Sequence, residues 1–292
     1  MSFSQRGQHW IAGLDRALGF PRERRRFRRR HGYPPNLRQP RSFNEKIVWR
    51  KLFDRNPDFV RVADKVEVRD YLCEVLGRDQ AEPHLVPLQQ VCERAEELQL
   101  DQLTRPCVIK PSHSSGRVMF LRGDDHEPGS KAVQAQCNQW LREYDYGIRR
   151  HEWVYTCLQP RIMVEELLDD GSGQAPPDYK FFVFHGRLEM VHVDLDRFQG
   201  HRRSVFDRDW RHLDLEYEFP RGPDLPRPSG FDTMRDLAER AAAGFDFMRV
   251  DLYNIDGHIY FGELTCYPAS GRGHFSPTDF DFQLGSKWRI PA

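Results

Sequence analysis

The stretch from residue 247 to residue 265 constrains the fold of this chain more than any other part of the sequence. Phe247–Tyr253 and His258–Thr265 are rich in β-forming residues, and Asp256-Gly257 between them is a favoured two-residue hairpin turn. The pattern predicts two antiparallel strands joined by a tight turn. Antiparallel pairing can bring Asp251 of the first strand and Glu263 of the second to the same end of the hairpin.

Charged and hydroxyl side chains share one face of this hairpin. Counting by twos places Arg249 on the face of Asp251, and Thr265 on the face of Glu263. Charges inside otherwise apolar strands need a partner, and a divalent cation or a phosphate would serve. The alternative is a structural Arg249–Asp251 pair with Glu263 solvated on an edge strand. The hairpin alone leaves both interpretations open.

Charge is unevenly spread along the chain, although its 44 basic and 44 acidic residues give zero net charge. Arginines crowd one N-terminal segment, at Arg22, Arg24, Arg25, Arg26, Arg28, Arg29 and Arg30. Such a run indicates an anionic partner, such as a membrane surface or an anionic glycan, or else a solvated helix face. Nucleic acid is not expected. We predict that residues 1–40 form a basic lead-in.

The six cysteines are scattered, with no CxxC pair and no close Cys/His spacing. This spacing argues against a zinc site and favours reduced thiols in a cytoplasmic protein. No stretch approaches the ~20 apolar residues that span a bilayer. We therefore expect a cytoplasmic protein, with peripheral attachment to the inner face of the membrane left open.

Helical signals follow the lead-in. Ser42-Phe-Asn-Glu45 has the form of a capping box and should begin a helix that runs to about Phe53. A second helical stretch is predicted from Pro57 to Gly77, with Ala63-Asp64-Lys65 inside it.

A small-residue loop follows the next strand. Cys107–Lys110 is predicted to be that strand, and Ser112–Gly116 the loop before a second strand that ends near Phe120. Such a loop can bring backbone N–H groups close to a phosphate, with Lys110 as a point charge. It lacks the pattern of a Walker P-loop. Hairpin loops of this composition are common, so the loop alone also fits a purely structural role.

Two further segments carry unusual charges. Arg161–Leu168 is predicted to be an apolar strand that ends in the paired acids Glu165 and Glu166. Asp178–Phe184 begins a hairpin with apolar residues on both faces, which indicates a buried central sheet. Lys180 lies inside this strand, and a buried lysine needs an anionic partner.

Taken in order, these segments resemble the ATP-grasp superfamily. The motifs that carry the resemblance are Phe43-Asn-Glu-Lys-Ile, Ala63-Asp-Lys, Asp178-Tyr-Lys-Phe and Arg249-Val-Asp-Leu-Tyr followed by Phe261-Gly-Glu-Leu-Thr. They are most similar to the TupA-like ATP-grasp proteins, described as amidoligases of bacterial cell-surface polymer assembly. The resemblance covers about Arg41 to Trp288.

The resemblance implies an α/β (α+β) chain with the ATP-grasp fold, in which two α+β subdomains clasp ATP between antiparallel sheets. The boundaries expected on this basis are an N-terminal helical region at 41–106, a small lid subdomain at 107–168 and a C-terminal subdomain at 169–292 that contains the metal site.

The resemblance also implies which residues bind ATP. Lys65 and Lys110 would contact phosphates under the Ser112–Gly116 lid, while Glu165, Glu166 and Leu167 would form the hinge that contacts adenine. The implied ATP-binding set is Lys65, Lys110, Ser112, Ser114, Ser115, Gly116, Glu165, Glu166, Leu167, Asp178 and Lys180.

The metal and catalytic roles are assigned in the same way. Asp251, Glu263 and Thr265 would hold one or two Mg²⁺ ions, with Thr265 standing where many relatives have asparagine. Arg249 would stabilise the transferring phosphoryl group, with Lys180 beside it. Arginine suits this role because its fork spans two phosphate oxygens, and Mg²⁺ prefers carboxylate and phosphate oxygens.

The implied activity is ATP-dependent ligation of a carboxylate to an amine through an acylphosphate, in the building of a cell-surface or capsular polymer. A kinase acting on a sugar or polymer hydroxyl, a non-catalytic ATP-binding scaffold, and a glycan- or membrane-binding module are the alternatives. The sequence does not identify the donor acid, the acceptor amine or the oligomeric state.

Overall fold

The computed structural model describes residues 13, 15–124, 127–143, 145–171, 175–195 and 200–291. Residues 1–12 and 14 of the predicted lead-in lie outside the described residues. Two antiparallel sheets dominate the described chain, and helices pack around them. No described helix has the length and apolar character needed to cross a bilayer. The helices are α1 (Pro21–His31), α2 (Phe43–Phe53), α3 (Asp58–Ala63), α4 (Glu67–Leu76), α5 (Arg78–Ala81), α6 (Ser130–Leu141), α7 (Asp145–Arg150), α8 (Phe231–Ala241) and α9 (Asp279–Ser286).

The strands follow the expected order along the chain. They are β1 (Leu88–Cys92), β2 (Cys107–Pro111), β3 (Met119–Leu121), β4 (Ile162–Glu166), β5 (Asp178–Phe184), β6 (Arg187–Leu195), β7 (Arg202–Asp207), β8 (Glu216–Tyr217), β9 (Phe247–Ile255), β10 (His258–Thr265) and β11 (Phe275–Ser276). Strands β8 and β11 form a separate two-stranded ribbon.

The large sheet has the strand order β10-β9-β5-β6-β7, with all neighbours antiparallel. Phe181, Val183 and Val191 are fully buried in the main core, which also takes in α8 and the aromatic residues Phe43 and Trp288. The two-sided apolar pattern of β5 therefore correctly predicted a central strand.

The predicted C-terminal hairpin is present, with one irregularity. Asp256 and Gly257 both have positive φ, at 52° and 89°, as a type I′ turn requires. The pairing shifts between Phe261 and Glu263, so Gly262 is the extra residue of a β-bulge. This shift places Glu263 opposite Asp251. A Cβ on Gly262 would lie 3.0 Å from the Tyr253 ring, which favours glycine there.

The small sheet has the order β1-β4-β2-β3. Its core includes Ile109, Val164 and Trp140, the last of them from α6. Strand β1 precedes the predicted lid region but pairs with β4 of that region. The division of the chain into subdomains remains a prediction.

Helix α2 begins with the predicted capping box. The Ser42 hydroxyl accepts from the Glu45 N–H, and the Glu45 carboxylate accepts from the Ser42 N–H. The single helix predicted from Pro57 to Gly77 is wrong, because the chain breaks between α3 and α4. Asp64 causes the break: its carboxylate accepts from the backbone N–H groups of residues 66 and 67 and so caps α4. Lys65 thereby leaves the helical path.

Candidate active site

One arginine organises the end of the β9–β10 hairpin that lies away from its turn. The Arg249 guanidinium donates to both carboxylate oxygens of Asp251, each at 2.7 Å, and to Glu263 Oε1 at 2.8 Å. It also donates to the Thr265 hydroxyl at 2.9 Å, and that hydroxyl donates to Glu263 at 2.9 Å. The four residues predicted to share a face of the hairpin therefore form one network.

Lys180 joins this network from the neighbouring strand. It lies opposite Asp251 in the β5–β9 register, and its ammonium group donates to Asp251 Oδ2 at 2.9 Å and to Asp178. Burial alone would lower the pKa of Lys180, but Asp251 and Asp178 raise it above the usual lysine value. The anionic partners predicted for this buried lysine are thus present.

The charged row continues onto β6 and β7, where sequence reasoning missed it. Asp194 lies 4.0 Å from the Lys180 ammonium group and accepts from Arg203 Nε at 2.6 Å. The Arg203 and Asp194 side chains are both buried. Burial alone would raise the pKa of Asp194, but His192, Arg203 and Lys180 hold it well below its usual range. Lys180 and Asp194 lie on the two strands of one predicted hairpin, and this placement was the signal available in the sequence.

The two hairpin carboxylates differ in their proton affinity. Burial raises the pKa of Asp251 to about 6, against the opposing charges of Arg249 and Lys180. Burial would also raise the pKa of Glu263, but Arg249 and Lys65 outweigh it and bring the pKa to about 2. Both groups are therefore mainly ionised at pH 7, which is the form that binds a cation.

Residues on and beside the small sheet have the opposite charge balance. Lys110 on β2 pairs with the Glu165 carboxylate on β4, and Arg69 of α4 lies 3.5 Å from the same carboxylate. Arg69 was not anticipated. Two cations therefore share one acid.

Lys65 lies at the break between α3 and α4 and contacts the predicted lid loop. Its ammonium group donates to the Ser114 carbonyl at 2.6 Å, and its backbone N–H donates to the Ser112 carbonyl at 3.4 Å. Burial lowers the pKa of Lys65, while the charge of Glu263 acts in the opposite direction.

The Ser112–Gly116 loop is half buried. Ser112 and Ser114 are buried, whereas Ser115 and Gly116 are exposed. The buried Ser114 hydroxyl oxygen has no hydrogen-bond partner within the part of the chain that the structure describes. Gly116 has φ +76°, a conformation that favours glycine.

The segment predicted to form the adenine hinge is already hydrogen-bonded. The Glu166 N–H donates to the Pro87 carbonyl at 3.0 Å, and the Leu167 N–H donates to the Pro106 carbonyl at 3.2 Å. A contact from Leu167 to an adenine ring would require the second of these bonds to open.

The donor set around Asp251 fits Mg²⁺ only with added ligands. Two carboxylates and the Thr265 hydroxyl are hard oxygen donors, and the bulge at Gly262 brings the carboxylates into register. Among the described residues, no group of three or more His, Cys, Asp or Glu side chains could hold a metal by itself. Phosphate and water oxygens would complete the coordination, as is usual for Mg²⁺.

Comparison with protein families matches residues 45–289 to the family described as TupA-like ATP-grasp. The chain belongs to this family. Family membership and the two antiparallel sheets confirm the predicted ATP-grasp fold class. A search of curated protein sequences finds no match.

Solved structures of ATP-grasp ligases are distant neighbours. The ATP-grasp ligase PsnB with its minimal precursor is 15% identical, with 84% of this chain and 67% of that chain covered and a TM-score of 0.43. D-alanine–D-alanine ligase from Bacillus anthracis is 15% identical, with 70% and 57% covered and a TM-score of 0.42. L-amino acid ligase from Bacillus licheniformis is 14% identical, with 79% and 50% covered and a TM-score of 0.44. The chain spans half to two thirds of the length of these ligases.

Proposed function

We propose that this protein is an ATP-dependent ligase that joins a carboxylate to an amine. The observation that carries the proposal is the convergence of Arg249, Asp251 and Glu263 with Lys180 on one sheet, where the charge of Glu263 also acts on Lys65. Phosphoryl transfer depends mainly on positioning and on neutralising charge, and this arrangement offers both.

The reaction forms an acylphosphate from the carboxylate and ATP, and the amine then displaces phosphate to form the amide. Asp251, Glu263 and Thr265 would hold Mg²⁺, which offsets triphosphate charge when bound. Arg249 neutralises charge on the transferring phosphoryl group. Lys65 and Lys110 bind the remaining phosphates, and the exposed half of the Ser112–Gly116 loop closes over them to exclude water.

Further assignments extend the proposal. We place Asp178 and Lys180 beside the nucleotide, and Glu165, Glu166 and Leu167 at the adenine ring. A role in building a bacterial cell-surface polymer rests on the family alone. Cytoplasmic location and peripheral membrane attachment are likewise proposed.

Hydroxylamine trapping tests the reaction directly. With ATP, Mg²⁺, hydroxylamine and a panel of sugar acids and amino acids, the ligase should release ADP and form a hydroxamate. Oxygen-18 placed in the donor carboxylate should then appear in the phosphate released when an amine replaces hydroxylamine. ADP release without hydroxamate or labelled phosphate would instead identify a kinase, and ATP binding without ADP would identify a scaffold.

A second binding function is proposed for the outer face of α1. Arg22, Arg25, Arg28 and Arg29 are exposed, and they lie opposite the buried face formed by Glu23, Phe27 and His31. Four arginines without an acid between them suit an anionic glycan or membrane surface.

Charge reversal tests this binding function. Replacing the four outward arginines with glutamate should abolish binding to anionic vesicles or an anionic glycan, while ATP binding stays unchanged. Retained binding would show that this face is only a solvated helix surface.

A further inference from the structure

The turn that follows β10 has an unusual backbone. Pro268–Gly271 forms a short 3₁₀ segment in which Ala269 and Ser270 have φ of 48° and 58°, followed by Gly271 at 71°. The left-handed region is unfavourable for residues that carry a Cβ, and here two of them adopt it in succession. Such a conformation persists only where the surroundings hold it in place.

A buried lysine fixes this turn through hydrogen bonds to Ser270. The Lys51 ammonium group, on α2, donates to the Ser270 carbonyl at 3.0 Å and to the Ser270 hydroxyl at 3.1 Å. The same group donates to Glu23 Oε1 of α1 at 2.6 Å. Glu152 is also hydrogen-bonded to the Ser270 side chain. Lys51 and Glu23 are each 1% exposed and Ser270 is 3% exposed, so water does not compete for these bonds.

Helix α1 contacts the same turn at two further points. His31 donates from Nε2 to the Gly271 carbonyl at 3.1 Å, and Arg30 Nε donates to the Arg272 carbonyl at 2.9 Å. Gly271 packs closely here as well, since an added Cβ would lie 2.8 Å from the Val48 side chain. Helix α1 lies outside the region matched to the family, which begins at residue 45.

The 268–272 turn is connected directly to the charged network around Arg249. Pro268 follows Thr265 by three residues, and the Thr265 hydroxyl contacts both Arg249 and Glu263. A shift of the turn would therefore change where β10 ends and how Thr265 meets its partners. Small displacements of this kind are costly for catalysis, because reactive groups must be held to within a fraction of an ångström.

We propose that helix α1 is a positioning element of the active site, which fixes the 268–272 turn through the Glu23–Lys51–Ser270 contact. Its buried face serves the catalytic end of β10, and its arginine face is turned away from it. The structural part of this inference stands by itself, whereas its effect on catalysis rests on the proposed ligase function. A truncation that removes residues 1–32 would consequently disturb the site as well as the arginine surface.

Two lysines on α2 make a matched comparison. Lys51→Met removes the bonds to Ser270 and Glu23. Lys46→Met removes another buried lysine of the same helix, 9% exposed, whose ammonium group donates to the carbonyls of Gly285 and Trp288 instead. Ser270→Ala provides a milder variant that keeps the left-handed backbone and loses only the hydroxyl.

Amide hydrogen exchange in the full chain tests the structural part. Lys51→Met should speed exchange at residues 269–272 by roughly tenfold or more, and Ser270→Ala by less, while Lys46→Met leaves this segment unchanged. Equal exchange in Lys51→Met and the parent protein would overturn the proposal. So would an equal increase in Lys46→Met, because the effect would then be global. If Lys51→Met does not fold, Ser270→Ala and Lys46→Met decide the question.

Kinetics test the catalytic part. Lys51→Met and Ser270→Ala should lower kcat by a larger factor than they raise KM for Mg–ATP, because the turn adjoins Thr265 along the chain but not Lys65 or Lys110. A rise in KM with an unchanged kcat would contradict a positioning role. Failure of the parent protein to consume ATP would refute the ligase proposal alone, since hydrogen exchange still judges the role of α1.

Discussion

The two sheets carry opposite charge balances. On the large sheet, the three cations Arg249, Lys180 and Arg203 are outnumbered by four acids, namely Asp178, Asp194, Asp251 and Glu263. At the small sheet, Lys110 of β2 and Arg69 of the neighbouring helix α4 share the single acid Glu165. Magnesium-bound ATP has the complementary arrangement, with a cation to place against excess acid and phosphates to place against excess base.

The sheets also differ in how firmly their charges are held. Lys180 and Asp251 are buried and make several bonds, whereas the Lys110 side chain is 19% exposed and has one acidic partner. The large-sheet groups are therefore preorganised, and the small-sheet groups can exchange their partner for a ligand at lower cost. Substitutions on each sheet should show which charges are needed for catalysis and stability and which for binding the nucleotide.

The largest effect is expected at Arg249. Arg249→Ala should reduce ATP turnover by about 10³-fold or more, the scale associated with an arginine that stabilises phosphoryl transfer. It also leaves Asp251 and Glu263 without their guanidinium, so Mg²⁺ should raise the melting temperature more than it does in the parent protein. ADP release and thermal shift measure the two effects. Arg61→Ala, at an exposed pair with Glu74, is the control and should match the parent. Turnover within tenfold of the parent would remove Arg249 from the mechanism.

Lys180 should matter most for stability. Lys180→Met leaves Asp178 and Asp251 with less compensation in a buried site, so the free energy of unfolding should fall by about 3–5 kcal/mol. Lys110→Met breaks a partly exposed pair and should cost only about 0–1 kcal/mol. Urea denaturation compares the two variants directly. Similar losses would mean that the two sheets hold their charges equally firmly.

We expect the small sheet to contribute to the affinity for ATP through Lys110. Lys110→Ala should weaken ATP binding roughly 10- to 100-fold, because it removes one charge-assisted phosphate contact. Titration calorimetry measures this, with Lys131→Ala on the exposed start of α6 as the control. An unchanged affinity would place the phosphates outside the reach of Lys110.

The smallest effect concerns pH. Because the pKa of Asp251 is raised to about 6, protons should compete with Mg²⁺ as the pH falls through 6. Mg²⁺ affinity should be nearly constant from pH 8 to 7 and then drop about tenfold by pH 5. Asp251→Asn should bind weakly with a flat profile over this range. A sloping profile in that variant would assign the titration to another group.

Local signals in the sequence were enough to predict several parts of the fold. The Asp-Gly turn, the capping box at Ser42 and the apolar pattern of β5 each act through neighbours along the chain, and each is present in the structure. The sharing of one face by Arg249, Asp251 and Glu263 also follows from strand periodicity.

Other features depend on contacts between distant segments. The sequence did not predict the helix break at Asp64, the bulge at Gly262 or the extension of the charged row to Arg203. Asp64 is also a plausible residue within a helix, and its capping role becomes visible only where Lys65 meets the Ser112 loop.

The sequence by itself determined the central strands, the capped start of α2, the family and the chemical types of the site residues, because these depend on local spacing and residue type. Tertiary structure decided which charges are paired and how firmly, since partners such as Lys180 and Asp251 come from separate strands. It also decided which residues the basic N-terminal segment contacts. Seven arginines predicted only a charged surface, whereas folding places Glu23 between them against Lys51, 28 residues away along the chain, and so connects α1 to the end of β10.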